Sequence, residues 1–129
     1  MKSTARMIGL VAGLMAISAC GSTSAPQGDP ALGEEIYLSS QEDDPYNRAC
    51  AGCHRLDSFE TIGPAFEGLG ERSALRVEGM GAYEYLRESI VDPEAFLVEG
   101  FTKFPMPTFY GDILTEEDIN NLIAFMLSQ

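Results

Sequence analysis

The segment from Cys50 to His54 constrains this chain more than any other feature. It reads Cys-Ala-Gly-Cys-His, and Cys-x-x-Cys-His is the spacing at which two thiols can be joined covalently to a haem. Two sulfur atoms three positions apart can meet the two vinyl groups of the porphyrin, while the adjacent imidazole reaches the iron. The sequence therefore predicts one covalent haem c on Cys50 and Cys53, with His54 as the first axial ligand.

A zinc site and a thioredoxin-like redox pair are the two alternatives for this segment. A structural zinc site needs four good ligands, usually thiolates and imidazoles, but the chain has three cysteines and one histidine. A redox pair should sit at the end of a buried strand, whereas residues 42–49 before the motif are polar and interrupted by Pro45. Haem attachment is the interpretation that these residues favour.

Residues 1–19 have the pattern of a processing signal. A positively charged start precedes an eleven-residue apolar stretch, and small residues follow, as in leaders that are removed. The stretch is shorter than the about 20 residues that span a bilayer. Residues 17–20, Ile-Ser-Ala-Cys, resemble the bacterial lipobox, which predicts cleavage before Cys20 and lipidation of that cysteine. The alternatives are an ordinary secretory leader cut a few residues later and a retained anchor helix.

This leader divides the chain into three parts. Residues 1–19 are the predicted signal peptide, residues 20–28 the lipidated cysteine with a small, polar, flexible tether, and residues 29–129 the functional domain. Lipid on Cys20 would anchor the protein to a membrane. We therefore expect it in the bacterial cell envelope, with the domain on the periplasmic or extracytoplasmic side, where c-type haem is ligated.

The charge of the chain restricts its partners. Removing the leader takes away two of the 8 basic residues, and the remaining six face 20 acidic ones, for a net charge of −14. Such acidity argues against nucleic acid as a partner. It favours a redox protein with a basic docking patch, although the acidity could also serve solubility alone. The acidic stretch 39–48 is expected to be a surface loop.

Three helices are predicted, and no segment alternates as a strand does. The first has Asp29 as N-cap and runs from Pro30 to about Leu38; the second covers residues 83–91, and the third begins after Thr115. Inward-facing residues are expected to be Leu32, Gly33, Ile36 and Tyr37, then Tyr83, Leu86 and Ile90, and last Ile119, Leu122, Ile123 and Met126. The pattern indicates an all-α fold around a cofactor.

With the haem motif, a Gly-x-x-x-Tyr pair at Gly33 and Tyr37, and a Phe-Pro-Met-Pro segment at residues 104–107, the chain resembles a monohaem cytochrome c of class I. The resemblance covers approximately residues 29–128. It implies a small fold of three main helices around one covalently attached haem. It also implies that Gly33 lets the first and last helices cross closely, next to Leu122 and Phe125.

The resemblance assigns roles to two further residues near the motif. Gly63-Pro64 is similar to the segment whose proline carbonyl accepts the Nδ1 proton of the haem-ligating histidine, which leaves Nε2 for iron. Arg72 matches a position where family members often carry an arginine that binds a haem propionate; it could equally be a solvated surface charge. The chain has no tryptophan, so a tyrosine would have to replace any indole contact to a propionate.

Met106 is the second axial ligand that the resemblance implies. It lies in the segment similar to the methionine loop of the family, where flanking prolines stiffen the approach to the iron. Met80 and Met126 are the rival ligands, and both could instead be ordinary core residues. With His54 and Met106 bound, the iron has no vacant position.

These assignments imply an electron carrier rather than an enzyme. The expected function is outer-sphere transfer of one electron between respiratory or photosynthetic complexes, by a protein tethered to the membrane. One alternative is a fixed electron-entry subunit of an oxidase, reductase or dehydrogenase. Another is a gas sensor or peroxidase with an open haem position, which Met106 and the absence of a second histidine argue against.

Overall fold

The computed structural model describes residues 28–40, 44 and 49–129, and this part of the chain is helical without any strand. The predicted leader, Cys20 and most of the tether lie outside the described residues. The helices are α1 (Pro30–Leu38), α2 (Leu69–Ser73), α3 (Ala82–Val91), α4 (Tyr110–Ile113) and α5 (Glu116–Leu127), and a single 3₁₀ turn covers Cys50–Gly52. The predicted all-α fold is confirmed.

Helix α1 begins as the sequence predicts. The Asp29 carboxylate accepts a hydrogen bond from the Ala31 amide at 2.9 Å, which satisfies one of the free N–H groups of the first turn. Pro30 occupies the first helical position, where the missing N–H costs nothing. Local residue choice is therefore enough to fix the start of this helix.

Helix α5 begins with a reciprocal cap. The Thr115 hydroxyl accepts from the Asp118 amide at 3.1 Å, and the Asp118 carboxylate accepts from the Thr115 amide at 3.0 Å. Two orphan donors are satisfied at once, and the acidic first turn also suits the positive end of the helix dipole. Thr115 as the cap is confirmed.

Helices α1 and α5 cross in direct backbone contact. A methyl group at Gly33 would clash with the Asn121 carbonyl and lie 2.7 Å from Cβ of Phe125. The Asn121 side chain also accepts a hydrogen bond from the Asp29 amide at 2.7 Å. The predicted contact with Phe125 is confirmed, and Asn121 rather than Leu122 supplies the nearest atoms.

The core lies between α1, α3 and α5. Leu86, Ile119 and Ile123 are almost fully buried in it. The expectation that Leu32 faces inward is wrong, because its side chain is 43% exposed. Gly33 and Tyr37 are the buried residues of α1, and Leu32 lies one helical step, about 100°, away from Gly33.

Two short helices escaped prediction, and α4 carries an unexpected contact. Tyr110, at the start of α4, donates a hydrogen bond to the Asp44 carboxylate at 3.1 Å. Asp44 is 4% exposed, so the expectation of a surface loop over residues 39–48 is wrong at this position. The rest of that stretch beyond Ser40 is not described. Among the described helices, none combines the length and the apolar character needed to cross a bilayer.

Candidate haem-binding site

A large apolar cleft opens between α3, α5 and the segment that follows α3. Its empty space, counted together with the open solvent at its mouth, is about 960 Å³, and Leu86, Ile90, Phe101, Leu122 and Met126 are among its lining residues. Ligand sites are typically concave and mostly apolar, with a few placed polar groups. The polar and sulfur-bearing groups at this cleft therefore decide what it can hold.

The two motif cysteines flank the 3₁₀ turn that precedes His54, with Cys50 as its first residue and Cys53 directly after its last. The amides of Cys53 and His54 both donate to the Cys50 carbonyl, at 3.1 and 3.0 Å. These two hydrogen bonds fix the backbone that carries the three residues. Neither thiol is in a disulfide, and Cys50 lines the cleft. Burial raises the pKa of the Cys50 thiol to about 11. A thioether has no such ionisation, so linkage to a vinyl group suits this apolar position.

The imidazole of His54 is oriented by a backbone acceptor. Its Nδ1 lies 2.8 Å from the Pro64 carbonyl oxygen, so Nδ1 carries the proton and donates, and Nε2 is left without a proton and able to bind a metal. This confirms the predicted hydrogen bond. Burial lowers the pKa of His54, and the bond to Pro64 partly opposes that shift. The ring is thus kept neutral, the form that binds a metal.

Two further residues confine the same ring. A methyl group at Gly63 would lie 2.5 Å from Cε1 of His54 and nearly as close to both ring nitrogens, at 2.8 and 2.9 Å. Near-equal distances to three ring atoms mean that Gly63 approaches over the ring face rather than the edge. The Phe66 ring stacks on the imidazole, with centroids 4.9 Å apart and 29° between the planes. The imidazole therefore has little freedom to turn.

The structure separates the three candidate methionines. Met106 and Met126 both line the cleft that His54 lines, and Met80 is not among its lining residues. Met126 belongs to helix α5 and is buried in the main core, whereas Met106 is partly buried on a segment outside the helices. Of the three side chains, Met106 combines access to the cleft with freedom to approach a metal.

Arg72 does not reach the cleft in this structure. Its guanidinium donates to the Ala65 carbonyl at 2.5 Å, and the neighbours Pro64 and Phe66 do line the cleft. The Nε atom of Arg72 is buried without a hydrogen-bond partner, and the same is true of Nε of Arg76. Buried polar groups are normally paired, so these two donors lack a partner that such atoms usually have.

Sequence reasoning missed several of these contacts. Phe66 follows the Gly-Pro pair by two residues, but no pattern shows that its ring stacks on His54. Tyr37 was expected to face inward, yet its hydroxyl also donates to the His54 carbonyl at 2.5 Å. Arg76 belongs to no sequence motif. Its unpaired buried Nε atom can be recognised only in the three-dimensional structure.

The donor set fits haem and not the alternatives. Haem iron takes histidine with methionine as axial ligands in cytochromes c, and an apolar cleft with the Cys50 thiol at its wall suits the porphyrin. In the described ranges, no three His, Cys, Asp or Glu side chains lie close enough together to hold a metal ion, so the zinc alternative is not supported. A thioredoxin-like pair would follow a buried strand, and the described residues contain no strand.

Comparison with known families agrees with this geometry. The family model described as cytochrome c matches residues 31–129, which is more than half of the chain and includes every residue of the site. Members of this family hold haem c covalently, typically one in a domain of this size, and act as electron carriers rather than as catalytic enzymes. The chain therefore belongs to the cytochrome c family and is an electron-transfer haem protein with covalently bound haem c.

Proposed function

We propose that this protein is a class I cytochrome c, tethered to a membrane, that carries one electron at a time between respiratory or photosynthetic redox complexes. In this proposal Cys50 and Cys53 link the haem, and His54 and Met106 are its axial ligands. The observation that carries the proposal is that the oriented His54 imidazole and the Met106 side chain line one apolar cleft.

The protein residues would act by holding both oxidation states in nearly one geometry. When bound, the haem supplies a one-electron iron couple. Pro64 fixes the direction of Nε2 on His54 by accepting the proton of Nδ1. The Met106 thioether favours the ferrous state relative to a second imidazole. The apolar cleft walls limit the access of water, which pushes the potential in the same direction.

Arg72 is proposed to bind a haem propionate. Its Nε atom is buried and lacks a hydrogen-bond partner, and its Nη2 atom is already tied to the Ala65 carbonyl. A guanidinium matches a carboxylate in both charge and shape. The bond to Ala65 holds that charge near Pro64 and Phe66, which line the cleft.

The partners are proposed to be redox proteins with a basic docking patch. The chain without its predicted leader has six basic and 20 acidic residues, and complementary charge speeds the encounter of proteins more than it tightens the complex. Electron-transfer complexes are typically small and transient. Transfer that slows as ionic strength rises supports this partner chemistry, because exposed charges are screened by salt.

The membrane tether is proposed from residues that lie outside the described part of the chain. Lipid on Cys20 and the short segment between it and α1 would keep the domain near the surface of the cell envelope. Incorporation of radiolabelled palmitate into the natural protein, and its loss in Cys20→Ser, tests this assignment. A labelled Cys20→Ser variant contradicts it.

A fixed subunit of an oxidase, reductase or dehydrogenase is the alternative role. Three exposed apolar side chains favour a lasting contact: Leu56, Phe59 and Ile62 are 39%, 71% and 55% exposed, on the loop directly after the haem motif. Purification from native membranes in mild detergent separates the two roles. A stable stoichiometric complex supports the subunit, and elution as a free monomer supports the shuttle.

The axial ligand is tested by the absorption spectrum of the ferric holoprotein. A methionine ligand gives a weak far-red sulfur-to-iron band, and we expect Met106→Ala to lose it while Met80→Ala keeps it. Reduced Met106→Ala should also bind carbon monoxide, because the iron then has an open position. The same band in Met106→Ala, together with its loss in Met80→Ala, would reassign the ligand to Met80.

A further inference from the structure

Two arginines in the described part of the chain each have a buried side-chain donor that is not hydrogen-bonded. The Nε atoms of Arg72 and Arg76 are buried and have no hydrogen-bond partner. Arg72 has the Ala65 carbonyl as one acceptor, whereas the Nε atom of Arg76 has none among the described residues. Resemblance to a family suggested a role for Arg72, whereas nothing in the sequence pointed to Arg76.

Two other arginines of the same domain are paired with carboxylates. Arg55 pairs with Asp57 at 2.5 Å, and Arg87 pairs with Glu116 at 2.6 Å. With 20 acidic residues in the chain, surface carboxylates are plentiful. The two arginines that bury their Nε atoms nevertheless pair with no carboxylate of the described residues.

An unpaired buried donor on a cation is costly. A buried polar group without a partner costs about 1–3 kcal/mol, and more when the group is charged. Buried charges are therefore almost always paired with an opposite charge. The ligand that completes these two side chains should be an anion, and a carboxylate matches the planar fork of a guanidinium best.

The backbone keeps the two arginines near each other, in the segment that begins at the cleft residue Leu69. Leu69, one helical turn before Ser73 in α2, lines the cleft. After α2 the chain continues in turns, with Leu75 donating to the Arg72 carbonyl at 3.0 Å and Arg76 donating to the Ser73 carbonyl at 3.4 Å. This turn keeps Arg76 close to Arg72.

We propose that Arg76 is a second binding residue for the haem propionates, acting together with Arg72. The inference rests on the haem site proposed above. A haem carries two propionates, and the structure supplies two guanidinium groups whose buried donors lack acceptors. From the sequence, a tyrosine was expected to replace the missing indole contact to a propionate, and Arg76 takes that role instead. Its positive charge also compensates the negative charge of a propionate in a strongly acidic protein.

The test is the reduction potential of the holoprotein with Arg76→Gln. A guanidinium near the haem disfavours the extra positive charge of ferric iron, so its loss should favour the ferric state. We expect the reduction equilibrium constant to fall by about tenfold, equivalent to about 59 mV for a one-electron couple. The measurement is made at about pH 8, where carboxylates are ionised. Arg87→Gln is the matched control, since Arg87 already has Glu116 as its partner.

Arg76→Lys separates charge from packing. Lysine keeps the positive charge, so the reduction equilibrium constant of Arg76→Lys should stay within about threefold of that of the natural protein. If Arg76 had a purely structural role, the Lys and Gln variants would have similar reduction potentials. If Arg76→Gln fails to fold, infrared spectra of haem labelled with ¹³C in the propionate carboxyl groups replace it. Their carboxylate bands should shift in Arg76→Lys and stay unchanged in Arg87→Lys.

Two results overturn the proposal. One is a potential in Arg76→Gln that matches that of Arg87→Gln, and the other is an unchanged carboxylate band in Arg76→Lys. Both measurements use holoprotein that keeps its covalent haem and its far-red sulfur band. A negative result for Arg76 therefore leaves the proposed haem site intact. Loss of covalent haem from the natural protein would instead refute the proposed function.

Discussion

The Phe66 ring stacks on the imidazole of His54, with centroids 4.9 Å apart. Phe66 also lines the cleft, so it contacts the proposed axial ligand and would contact the haem. We expect Phe66→Leu to cost less than about 1.5 kcal/mol, because leucine keeps most of the apolar volume. The imidazole loses a planar neighbour, so the electron paramagnetic resonance g-values of the ferric protein should change. Phe59→Leu, at a residue 71% exposed, should leave them unchanged, and identical spectra for both variants would contradict the orienting role.

Gly63 confines the same imidazole through the absence of a side chain. In Gly63→Ala the new methyl group would lie 2.5 Å from Cε1 of His54, so the ring or the backbone must move. We expect a loss of about 1–3 kcal/mol in the free energy of unfolding and a weaker bond between Nδ1 and Pro64. The ¹⁵N chemical shift of Nδ1 in the reduced protein measures the second effect.

Gly52→Ala is the matched control for this substitution. A methyl group at Gly52 would meet nothing within 4 Å, although Gly52 lies in the same haem motif. The control should keep both the stability and the Nδ1 shift of the natural protein. Equal behaviour of the two alanine variants would show that Gly63 imposes no constraint on His54.

Thr115 offers a prediction that depends on one local motif. Thr115→Ala removes the hydroxyl that accepts from the Asp118 amide at 3.1 Å, and loss of such a cap costs about 0.5–2 kcal/mol. Because α5 carries much of the core, the loss should appear in global unfolding by urea. Thr102→Ala, at an exposed position outside the helices, should change stability by less than about 0.5 kcal/mol. Equal midpoints for the two variants would contradict the cap.

Local signals in the sequence were sufficient where local residues determine the structure. Asp29 with Pro30 and Thr115 with Asp118 satisfy free N–H groups at helix starts, so the starts of α1 and α5 could be predicted from neighbouring residues. Helices α2 and α4 could not. They have five and four residues, and helices this short depend on tertiary packing rather than on propensity.

The residues of the haem site also differ in how far the sequence alone predicts their role. Cys50, Cys53 and His54 are contiguous, so their spacing alone predicts a shared cofactor. The unpaired state of Arg76 depends on which groups surround a turn after folding, and sequence periodicity does not contain that information. Leu32 was placed wrongly for a related reason, since the close approach of α5 at Gly33 determines which face of α1 is buried.

Gly33 permits the crossing of α1 and α5, and its substitution sets two effects against each other. Alanine is favoured over glycine inside a helix by about 1 kcal/mol. The new methyl group, however, would clash with the Asn121 carbonyl and lie 2.7 Å from Cβ of Phe125. Forcing backbone apart in a packed core costs about 1–3 kcal/mol or more, so we expect Gly33→Ala to lower the thermal midpoint. Glu34→Ala, at the exposed next position, gains propensity without any clash and should keep or raise it. A higher midpoint in Gly33→Ala would mean that the two helices can separate without loss, and that their backbone contact does not stabilise the fold.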